Sequence, residues 1–403
     1  MNNFHFVHLP HTKAYGEVST TAFGLEQAQR VRHFHQSFPE YSVTPLVKLE
    51  VLAEKLGVQS IYVKDESYRF GLNAFKVLGG SYAIAREIGR LLGLKEEELT
   101  LDRLLAPDVK ERLGTLTFVT ATDGNHGRGV AWTAQRLGHR AVVFMPKGTA
   151  AERLENIRRL GAEASITNVN YDDTVRLARA YAAEHKGIVV QDTSWEGYDE
   201  VPLHIMQGYT TMGSEIVEQL QVYGNIKPTH VFLQAGVGAM AGAMAGFIAD
   251  YYKERRPLIT IVEPNQADCI YRTALANDGQ LHAVGGALDS IMAGLCCGEP
   301  CSLGWRQLAA YADNFVAMPD RAAALGMRVL GSPMGSDAAV VAGESGAAGF
   351  GLAMAALWEQ DLAELKRSLQ LDAKSVILCI STEGATDVAN YRRIMWEGAW
   401  SWK

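Results

Sequence analysis

The chain has 403 residues, of which 48% are hydrophobic and 21% are charged, and its formal net charge is −7. This length and composition are typical of a soluble globular protein with room for two domains. The negative charge argues against nucleic-acid binding, and the apolar run at 236–248 is too short and too glycine-rich to span a membrane. The chain starts without a basic segment followed by an apolar core, so we predict no signal peptide and expect a cytoplasmic protein.

In chain order, apolar strand-like runs alternate with helical patterns, which indicates parallel sheets covered by helices on both faces. Strands are predicted at 60–64, 116–120, 140–145, 163–167, 188–191, 229–234, 258–263 and 375–380. Helices are predicted at 22–38, 49–56, 129–137, 151–160, 172–184 and 206–221. The fold class is therefore α/β, and we expect residues 1–78 and 200–403 to form a large domain and residues 79–199 a small one.

The cysteines predict neither a disulfide framework nor a metal centre. Five cysteines, Cys269, Cys296, Cys297, Cys301 and Cys379, are few for a chain of this length. Cys297 and Cys301 lie four residues apart, but no second Cys/His pair completes a zinc site, so no metal is expected. Pairing of Cys269 with Cys296 or Cys297 stays open.

Lys76 lies in the segment 71–80 among apolar neighbours, at the start of a predicted helix and with no acidic residue beside it in sequence. Burial lowers the pKa of an amine, so we expect Lys76 to be a neutral nucleophile near pH 7 that forms a Schiff base. An isolated lysine of this kind more often lays its stem along apolar surface. The segment 120–129, a glycine-rich turn that opens a helix, favours the catalytic interpretation and a pyridoxal-phosphate enzyme.

A second glycine-rich turn, at 234–242, follows a predicted strand and opens a helix. Backbone N–H groups at such a helix N-terminus bind phosphate, and the helix dipole favours the anion. Gly236, Gly238 and Gly242, with Glu263 at the end of the next strand, also fit a dinucleotide fingerprint. A nucleotide-binding oxidoreductase is therefore an alternative interpretation, although it does not explain Lys76.

Two hydroxyl residues, Ser381 and Thr382, end the last predicted strand. A hydroxyl that faces a pyridine nitrogen leaves that nitrogen largely neutral, which weakens the ring as an electron sink and favours β-elimination over transamination. An ordinary strand-end cap is the alternative for this pair.

Together, the segments 73–76, 123–126, 236–242 and 381–384 resemble those of the tryptophan-synthase-like, fold type II pyridoxal-phosphate enzymes. Longer segments around them resemble the diaminopropionate ammonia-lyases within that family, and the resemblance runs from about residue 25 to Trp396. It implies two domains, each with a mostly parallel twisted sheet covered by helices. The large domain then binds the cofactor, the small domain closes over the substrate, and relatives suggest a homodimer.

The resemblance also implies a set of cofactor contacts. Lys76 holds pyridoxal 5'-phosphate as a Schiff base, Asn125 contacts its ring hydroxyl, and Ser381 or Thr382 meets its ring nitrogen. The segment 343–347 resembles a further turn beneath the ring. The residues around the phosphate are Gly236, Val237, Gly238, Ala239 and Met240.

Asp123 departs from the wider dehydratase pattern, in which a hydroxyl residue precedes the Gly-Asn pair. A diamino acid brings a second ammonium that a carboxylate can hold, so we predict catalytic roles for Asp123 and Asp192. A cap or turn role is the alternative for each of them. The predicted substrate-binding residues are Thr122, Asp123, Gly124, His126 and Asp192.

The expected reaction is the α,β-elimination of D- and L-2,3-diaminopropionate to pyruvate and two ammonia. As the resemblance implies, Lys76 removes the α proton of one isomer and Asp123 that of the other, and Asp192 assists binding of the substrate ammonium. A serine or threonine ammonia-lyase of the same fold is the second alternative. The expected partner is a small amino acid, and neither nucleic acid nor a membrane is expected.

Overall fold

The computed structural model describes residues 3–9 and 18–402, and within these ranges the strands form a sheet of seven and a sheet of four. The strands are β1 (His5–His8), β2 (Leu46–Lys48), β3 (Ser60–Asp65), β4 (Thr117–Ala121), β5 (Arg140–Met145), β6 (Glu163–Ile166), β7 (Ile188–Val189), β8 (His230–Gln234), β9 (Leu258–Pro264), β10 (Asn314–Met318) and β11 (Val376–Ser381). The helices are α1 (Leu25–Gln36), α2 (Glu50–Leu56), α3 (Val77–Leu92), α4 (Leu101–Leu104), α5 (Pro107–Leu113), α6 (Asn125–Arg136), α7 (Ala151–Arg158), α8 (Tyr171–His185), α9 (Glu200–Val222), α10 (Ala239–Tyr252), α11 (Cys269–Ala276), α12 (Ser302–Tyr311), α13 (Asp320–Gly331), α14 (Ala348–Trp358), α15 (Ala363–Ser368) and α16 (Val388–Met395).

The large sheet has the strand order β1-β10-β9-β8-β11-β3-β2. Its five inner strands run parallel, and the edge strands β1 and β2 are antiparallel to their neighbours. Every residue of β3, β8 and β11 is buried, as is usual for parallel strands covered by helices on both faces. The small sheet, β6-β5-β4-β7, is parallel throughout. The predicted α/β class with mostly parallel sheets is therefore confirmed.

The carboxyl ends of the parallel strands carry the segments on which the function predictions rest. Asp123 follows β4, the turn 235–238 follows β8, and Thr382 follows β11. Lys76 comes after β3 and a short turn, and directly precedes α3. In open α/β sheets, ligands bind at such strand ends, so the fold itself brings these segments to one region. Among the described residues, no helix is both long and apolar enough to cross a bilayer.

The segment before Lys76 is held against the end of β11 by backbone contacts. Phe75 N–H donates to the carbonyl of Thr382 at 3.1 Å, and Gly384 N–H donates to the carbonyl of Asn73 at 3.0 Å. A Cβ atom at Gly384 would lie 2.1 Å from the Asn73 side-chain oxygen and 2.9 Å from the Ser67 Cβ atom, so a side chain there would displace both neighbours. The position of Lys76 is thus fixed relative to Thr382.

The start of α3 also packs closely against α9. A Cβ atom at Gly208 would lie 2.3 Å from the carbonyl oxygen of Leu78, and one at Gly79 would lie 2.6 Å from the Tyr209 ring. Because both positions lack a side chain, the first turn of α3 rests directly on α9. This contact fixes the backbone from which the Lys76 side chain projects.

A fully buried ionic network ties β3 to α9 upstream of Lys76. Glu215 accepts from Lys64 at 2.6 Å and from Arg69 at 2.8 Å, and Arg69 also pairs with Glu66 at 2.8 Å. All four side chains are inaccessible to solvent. Removing one partner would leave an uncompensated buried charge, so alternative arrangements of these side chains are unfavourable. The network therefore fixes the geometry of the 65–71 turn.

Candidate active site

A cavity of about 610 Å³ opens at the carboxyl ends of the two sheets. Its wall contains Lys76, Asp123, Asn125, Asp192 and Thr382, and it also contains the glycine-rich turn 236–240. This volume lies within the range that small-molecule and cofactor sites usually occupy. Most of the side chains predicted to carry chemistry therefore share one cavity.

Lys76 is paired with a carboxylate, which contradicts one expectation from the sequence. Its ammonium forms an ion pair with Asp192, a residue 116 positions away in the chain, and both side chains are largely buried. Burial alone lowers the pKa of this amine, but the nearby Asp192, Tyr209 and Asp123 outweigh burial and raise the pKa. The prediction of a neutral lysine without a neighbouring acid is thus wrong for this structure, because the acid is distant in sequence.

Asp192 is ionised despite its burial. Burial raises the pKa of a carboxyl group, but the charge and hydrogen bond of Lys76 and the neighbouring His126 and Tyr171 together lower it. The second carboxylate oxygen accepts from the Tyr171 hydroxyl at 3.1 Å and from Gln191 at 3.2 Å. Asp192 is therefore an anion held in place on both oxygens, and one of them already binds an ammonium.

Asp123 follows β4 and lies beside a buried guanidinium. The Nη1 atom of Arg153 is 3.5 Å from the Asp123 carboxylate and 3.4 Å from the Asp123 carbonyl oxygen. The Asp123 side chain is 16% exposed, so it can reach a ligand in the cavity. Burial raises the pKa of Asp123, and Arg153 and Lys76 oppose that rise.

Asn125 begins α6, and its side chain links the two sheets. Its amide nitrogen donates to the carboxylate of Glu383, which follows β11. Glu383 also accepts from the Ser345 backbone N–H at 3.2 Å and from the Thr386 hydroxyl at 3.1 Å. Asn125 is thus held in the cavity wall by a carboxylate that the sequence alone did not single out.

The turn between β8 and α10 has the backbone geometry expected of an anion cradle. Gly238 has a φ of 89°, a left-handed conformation that favours glycine, and α10 begins at the next residue. A Cβ atom at Gly236 would lie 3.0 Å from the Cys297 sulfur and 3.2 Å from the Gly294 carbonyl. The first amides of a helix have no acceptor within the helix, so the N–H groups of this turn are available to a phosphate.

The two hydroxyls at the end of β11 have different surroundings. Thr382 lines the cavity, and its hydroxyl accepts a hydrogen bond from the Gln234 amide at 3.0 Å. Ser381 is buried in the strand and does not line the cavity, and its hydroxyl is 3.5 Å from the carbonyl of Glu383. Of the two predicted candidates, Thr382 is the one that can reach a ligand.

Three of the predicted substrate-binding residues lie behind the cavity wall. The Thr122 hydroxyl accepts from the N–H groups of Gly124 at 2.9 Å and Gly127 at 3.0 Å, so it shapes the turn. His126 contacts the carbonyl of Val190 at 2.8 Å, and burial lowers its pKa. Asp123 and Asn125 line the cavity. Thr122, Gly124 and His126 do not, and they position these two residues from behind the wall.

Comparison with known proteins matches residues 38–383 to the family of pyridoxal-phosphate dependent enzymes. The chain belongs to this family. A diaminopropionate ammonia-lyase of Escherichia coli (strain K12) is 51% identical over 384 residues, which cover 95% of this chain and 94% of that protein. Crystal structures of the Escherichia coli lyase, one with an aminoacrylate-PLP azomethine reaction intermediate and one with D-serine, superpose with TM-scores of 0.90 and 0.91 at 47% identity. The structure with the reaction intermediate covers 100% of this chain and 99% of its own chain, and the structure with D-serine covers 99% and 98%, respectively.

The residues of this chain fit the cofactor of the family. The cavity combines a lysine amine, an anion cradle that a side chain at Gly236 would fill, and the Thr382 hydroxyl. The hydroxyl of Tyr209 is buried at the cavity and has no hydrogen-bond partner among the described residues. A buried polar group of this kind normally has a partner, so a polar ligand in the cavity accounts for it.

The dinucleotide interpretation of the 236–242 turn is wrong, and the position of Glu263 shows why. In a dinucleotide fold, an acidic residue at the end of the second strand binds a ribose hydroxyl. Here the Glu263 carboxylate accepts from the backbone N–H groups of Ile270 at 2.9 Å and Tyr271 at 2.6 Å. It is buried against the start of α11 and is not part of the cavity wall.

Several side chains of the cavity were not predicted from the sequence. Arg153, Tyr171 and Tyr209 lie outside the four short segments that carry the family resemblance, and Glu383 lies in one of them, 381–384, without a predicted role. Glu344 lies in the segment 343–347, which was noted without a role. Burial and the nearby Glu383 raise the pKa of Glu344 to about 7.

The cysteine question that the sequence left open has a plain outcome. All five cysteines are free thiols, including Cys269, Cys296 and Cys297. Cys297 lies against the glycine-rich turn at Gly236, and burial raises the pKa of its thiol. Within the described residues, no cluster of His, Cys, Asp or Glu side chains could hold a metal ion.

Replacing Gly238 with alanine should weaken cofactor binding. The left-handed backbone costs a non-glycine residue about 1–2 kcal/mol, and the new Cβ would lie 3.0 Å from Ile270. Relieving this strain turns the cradle amides away, so we expect roughly tenfold weaker binding of pyridoxal phosphate, measured by absorbance titration. Gly279→Ala is the control, because Gly279 has a φ of 81° with open space around it. Equal affinities of the wild type and G238A would contradict the cradle assignment.

Proposed function

We propose that this chain catalyses the α,β-elimination of D- and L-2,3-diaminopropionate to pyruvate and two ammonia with pyridoxal 5'-phosphate. The observation that carries the proposal is the ionised Asp192 beside Lys76, because it provides an ammonium-binding carboxylate at the reacting centre. The identity to a diaminopropionate ammonia-lyase over 95% of the chain supports the same reaction.

Each part of the cofactor has a matching group in the cavity. Lys76 would hold its aldehyde carbon, the amides of 236–240 its phosphate, Asn125 its ring hydroxyl and Thr382 its ring nitrogen. When bound, the cofactor supplies an electron sink for the pair left on the α carbon after proton removal. A hydroxyl at the ring nitrogen keeps that sink weak, which favours loss of a β substituent over transamination.

Two residues of the chain can accept the α proton. The Lys76 amine and the Asp123 carboxylate both line the cavity, and they approach it from different elements, the residue before α3 and the turn after β4. We assign Lys76 to one isomer of the substrate and Asp123 to the other. A positioned proton acceptor is typically worth about 10² to 10⁴ in rate.

Asp192 is the group that we assign to the second ammonium of the substrate. In the structure its carboxylate binds the ammonium of Lys76. A β-ammonium has the same charge and the same donors, so it can take that place once the lysine is engaged elsewhere. A carboxylate at this point holds the leaving group protonated, so the β-nitrogen departs as neutral ammonia.

We also propose that the unit at 79–199, which contains the small sheet, closes over the substrate against the remainder of the chain. Besides the Lys76–Asp192 ion pair, several other side-chain contacts already cross between the two parts near the cavity or at its edge. Asn125 donates to Glu383, Arg153 reaches the Thr386 hydroxyl at 3.4 Å, and Arg176 forms an ion pair with Glu299. Closure around the cavity would exclude water from Lys76 and Asp123.

We further propose that the enzyme is a cytoplasmic homodimer. Five free thiols suit a reducing compartment. Apolar side chains are exposed on and directly after α16 and between α13 and α14, with Val388 at 55%, Trp396 at 78% and Met334 at 47%. Such exposed apolar groups are typical of surfaces that another subunit covers.

Replacing Asp123 with asparagine tests the assignment of the two bases. We expect turnover of one diaminopropionate isomer to fall about 10²-fold or more, because its proton acceptor is lost, and turnover of the other to change little. The measurement is kcat/KM on each isomer separately. Lys76→Ala is the control, and it should lose both activities because the lysine holds the cofactor. Equal losses on both isomers in D123N would refute the two-base assignment.

Replacing Asp192 with asparagine tests the ammonium site. We expect the wild type to release ammonia faster from diaminopropionate than from serine, and D192N to lose most of this preference. The reason is that serine carries no β-ammonium, so it gains nothing from the carboxylate. Competing turnover of the two substrates measures the ratio. A wild-type enzyme that prefers serine would instead support the alternative of a serine ammonia-lyase.

The oligomer proposal predicts a dimer in light scattering, and Trp396→Glu should shift the mass toward the monomer by placing a charge in an apolar contact. Trp358→Glu, at the last residue of α14, where the tryptophan is 51% exposed, serves as the control and should remain dimeric. A monomeric wild type would exclude the proposal.

A further inference from the structure

Arg153 is a buried cation in the cavity wall. Its residue is 7% exposed, it lies on α7, and its stem packs on the turn that carries Asp123. A Cβ atom at Gly124 would lie 3.1 Å from the Arg153 Cδ atom, so the glycine makes room for this stem. The guanidinium reaches Asp123 on one side and the Thr386 hydroxyl on the other.

The guanidinium has few hydrogen bonds for a buried group. It carries five N–H donors, and its Nε atom is buried without a partner among the described residues. Its contacts to Asp123 and Thr386 are 3.4 to 3.5 Å long, at the upper limit for a hydrogen bond. What Arg153 supplies to Asp123 is therefore mainly its charge.

Asp123 needs such a charge because other anions surround it. The positive groups that act on it are Arg153 of α7 and Lys76 at the start of α3, and the negative groups are Glu383 after β11 and Asp192 after β7. Four further titratable groups lie near enough to interact with it: His126 of α6, Tyr171 of α8, Cys296 and Cys297. The Lys76 ammonium is already paired with Asp192, so Arg153 is the cation left for Asp123.

We propose that Arg153 is a positioning residue that keeps Asp123 a carboxylate, and therefore able to accept the α proton of the isomer that depends on it. This inference rests on the role of Asp123 proposed above. It makes Arg153 a determinant of isomer range, because the isomer whose proton goes to Lys76 has no need of it. The guanidinium touches Asp123, and we assign it no contact with the reacting atoms.

The sign of the effect follows from the charges. Burial raises the pKa of Asp123, Glu383 and Asp192 raise it further, and Arg153 opposes them. Without Arg153 the pKa of Asp123 rises, so the carboxylate exists only at higher pH. Loss of Arg153 should therefore lower turnover of the Asp123-dependent isomer most strongly at acidic pH, and alkaline pH should restore it.

The test compares the pH profiles of kcat/KM for both isomers in the wild type and in Arg153→Gln. The D123N variant first identifies the Asp123-dependent isomer. At about pH 6 we expect R153Q to lower turnover of that isomer about tenfold more than turnover of the other, with recovery toward about pH 9. Arg153→Lys, which keeps the charge, should restore most of the profile. Arg158→Gln is the matched control, because Arg158 lies on the same helix but faces solvent, 47% exposed.

A second readout is independent of the cofactor and of turnover. Infrared difference titration of cofactor-free protein identifies the Asp123 carboxyl band as the one missing in D123N. This band should titrate at higher pH in R153Q than in the wild type, and between the two in R153K. An unchanged titration, or an equal change of both pH profiles, would overturn the inference. If D123N itself affects both isomers equally, the proposed role of Asp123 fails first, so the two failures are distinguishable.

Discussion

The ion pair between Lys76 and Asp192 is the interaction on which the candidate site depends. An amine buried this deeply is unstable as a cation without an opposite charge, and Asp192 supplies it. The pair also keeps Asp192 ionised, because each member opposes the effect of burial on the other. One pair thus fixes the charge of both the residue that would hold the cofactor and the residue that would hold the substrate ammonium.

The fold makes this pair possible by bringing two distant strand ends together. Lys76 is placed by β3, by the Thr382 backbone and by the close packing of α3 on α9. Asp192 comes from the end of the small sheet, where Tyr171 of α8 holds its other oxygen. Any motion between the two sheets must therefore alter the distance between amine and carboxylate, which links closure to the charge state of the site.

Much of the fold could be predicted from the sequence, and the omissions have physical reasons. The predicted strand at 140–145 coincides with β5, because long buried apolar runs bounded by turns are distinctive. β1, β2 and β10 were not predicted. The first two are short edge strands of four and three residues. The five residues of β10 are all buried, and such a short apolar run in a sequence cannot be distinguished from part of a buried helix. In the site, Lys76 and the 236–240 cradle were recognisable because their signals are local, whereas Asp192 beside Lys76 and Arg153 beside Asp123 arise only from folding.

The charge of the cavity bears on which amino acid it suits. Its wall contains three basic residues, Lys76, Lys147 and Arg153, and six acidic ones, Asp123, Asp192, Asp289, Glu344, Glu383 and Asp387. Burial, and after it the nearby Glu383, raise the pKa of Glu344 to about 7, so part of this rise reflects the excess of acidic groups. A substrate with two ammonium groups relieves the excess, and a hydroxy amino acid with one relieves less of it. The preference for a diamino acid over a hydroxy amino acid therefore depends on all the acidic residues of the wall. Asp192 adds the direct contact beside Lys76.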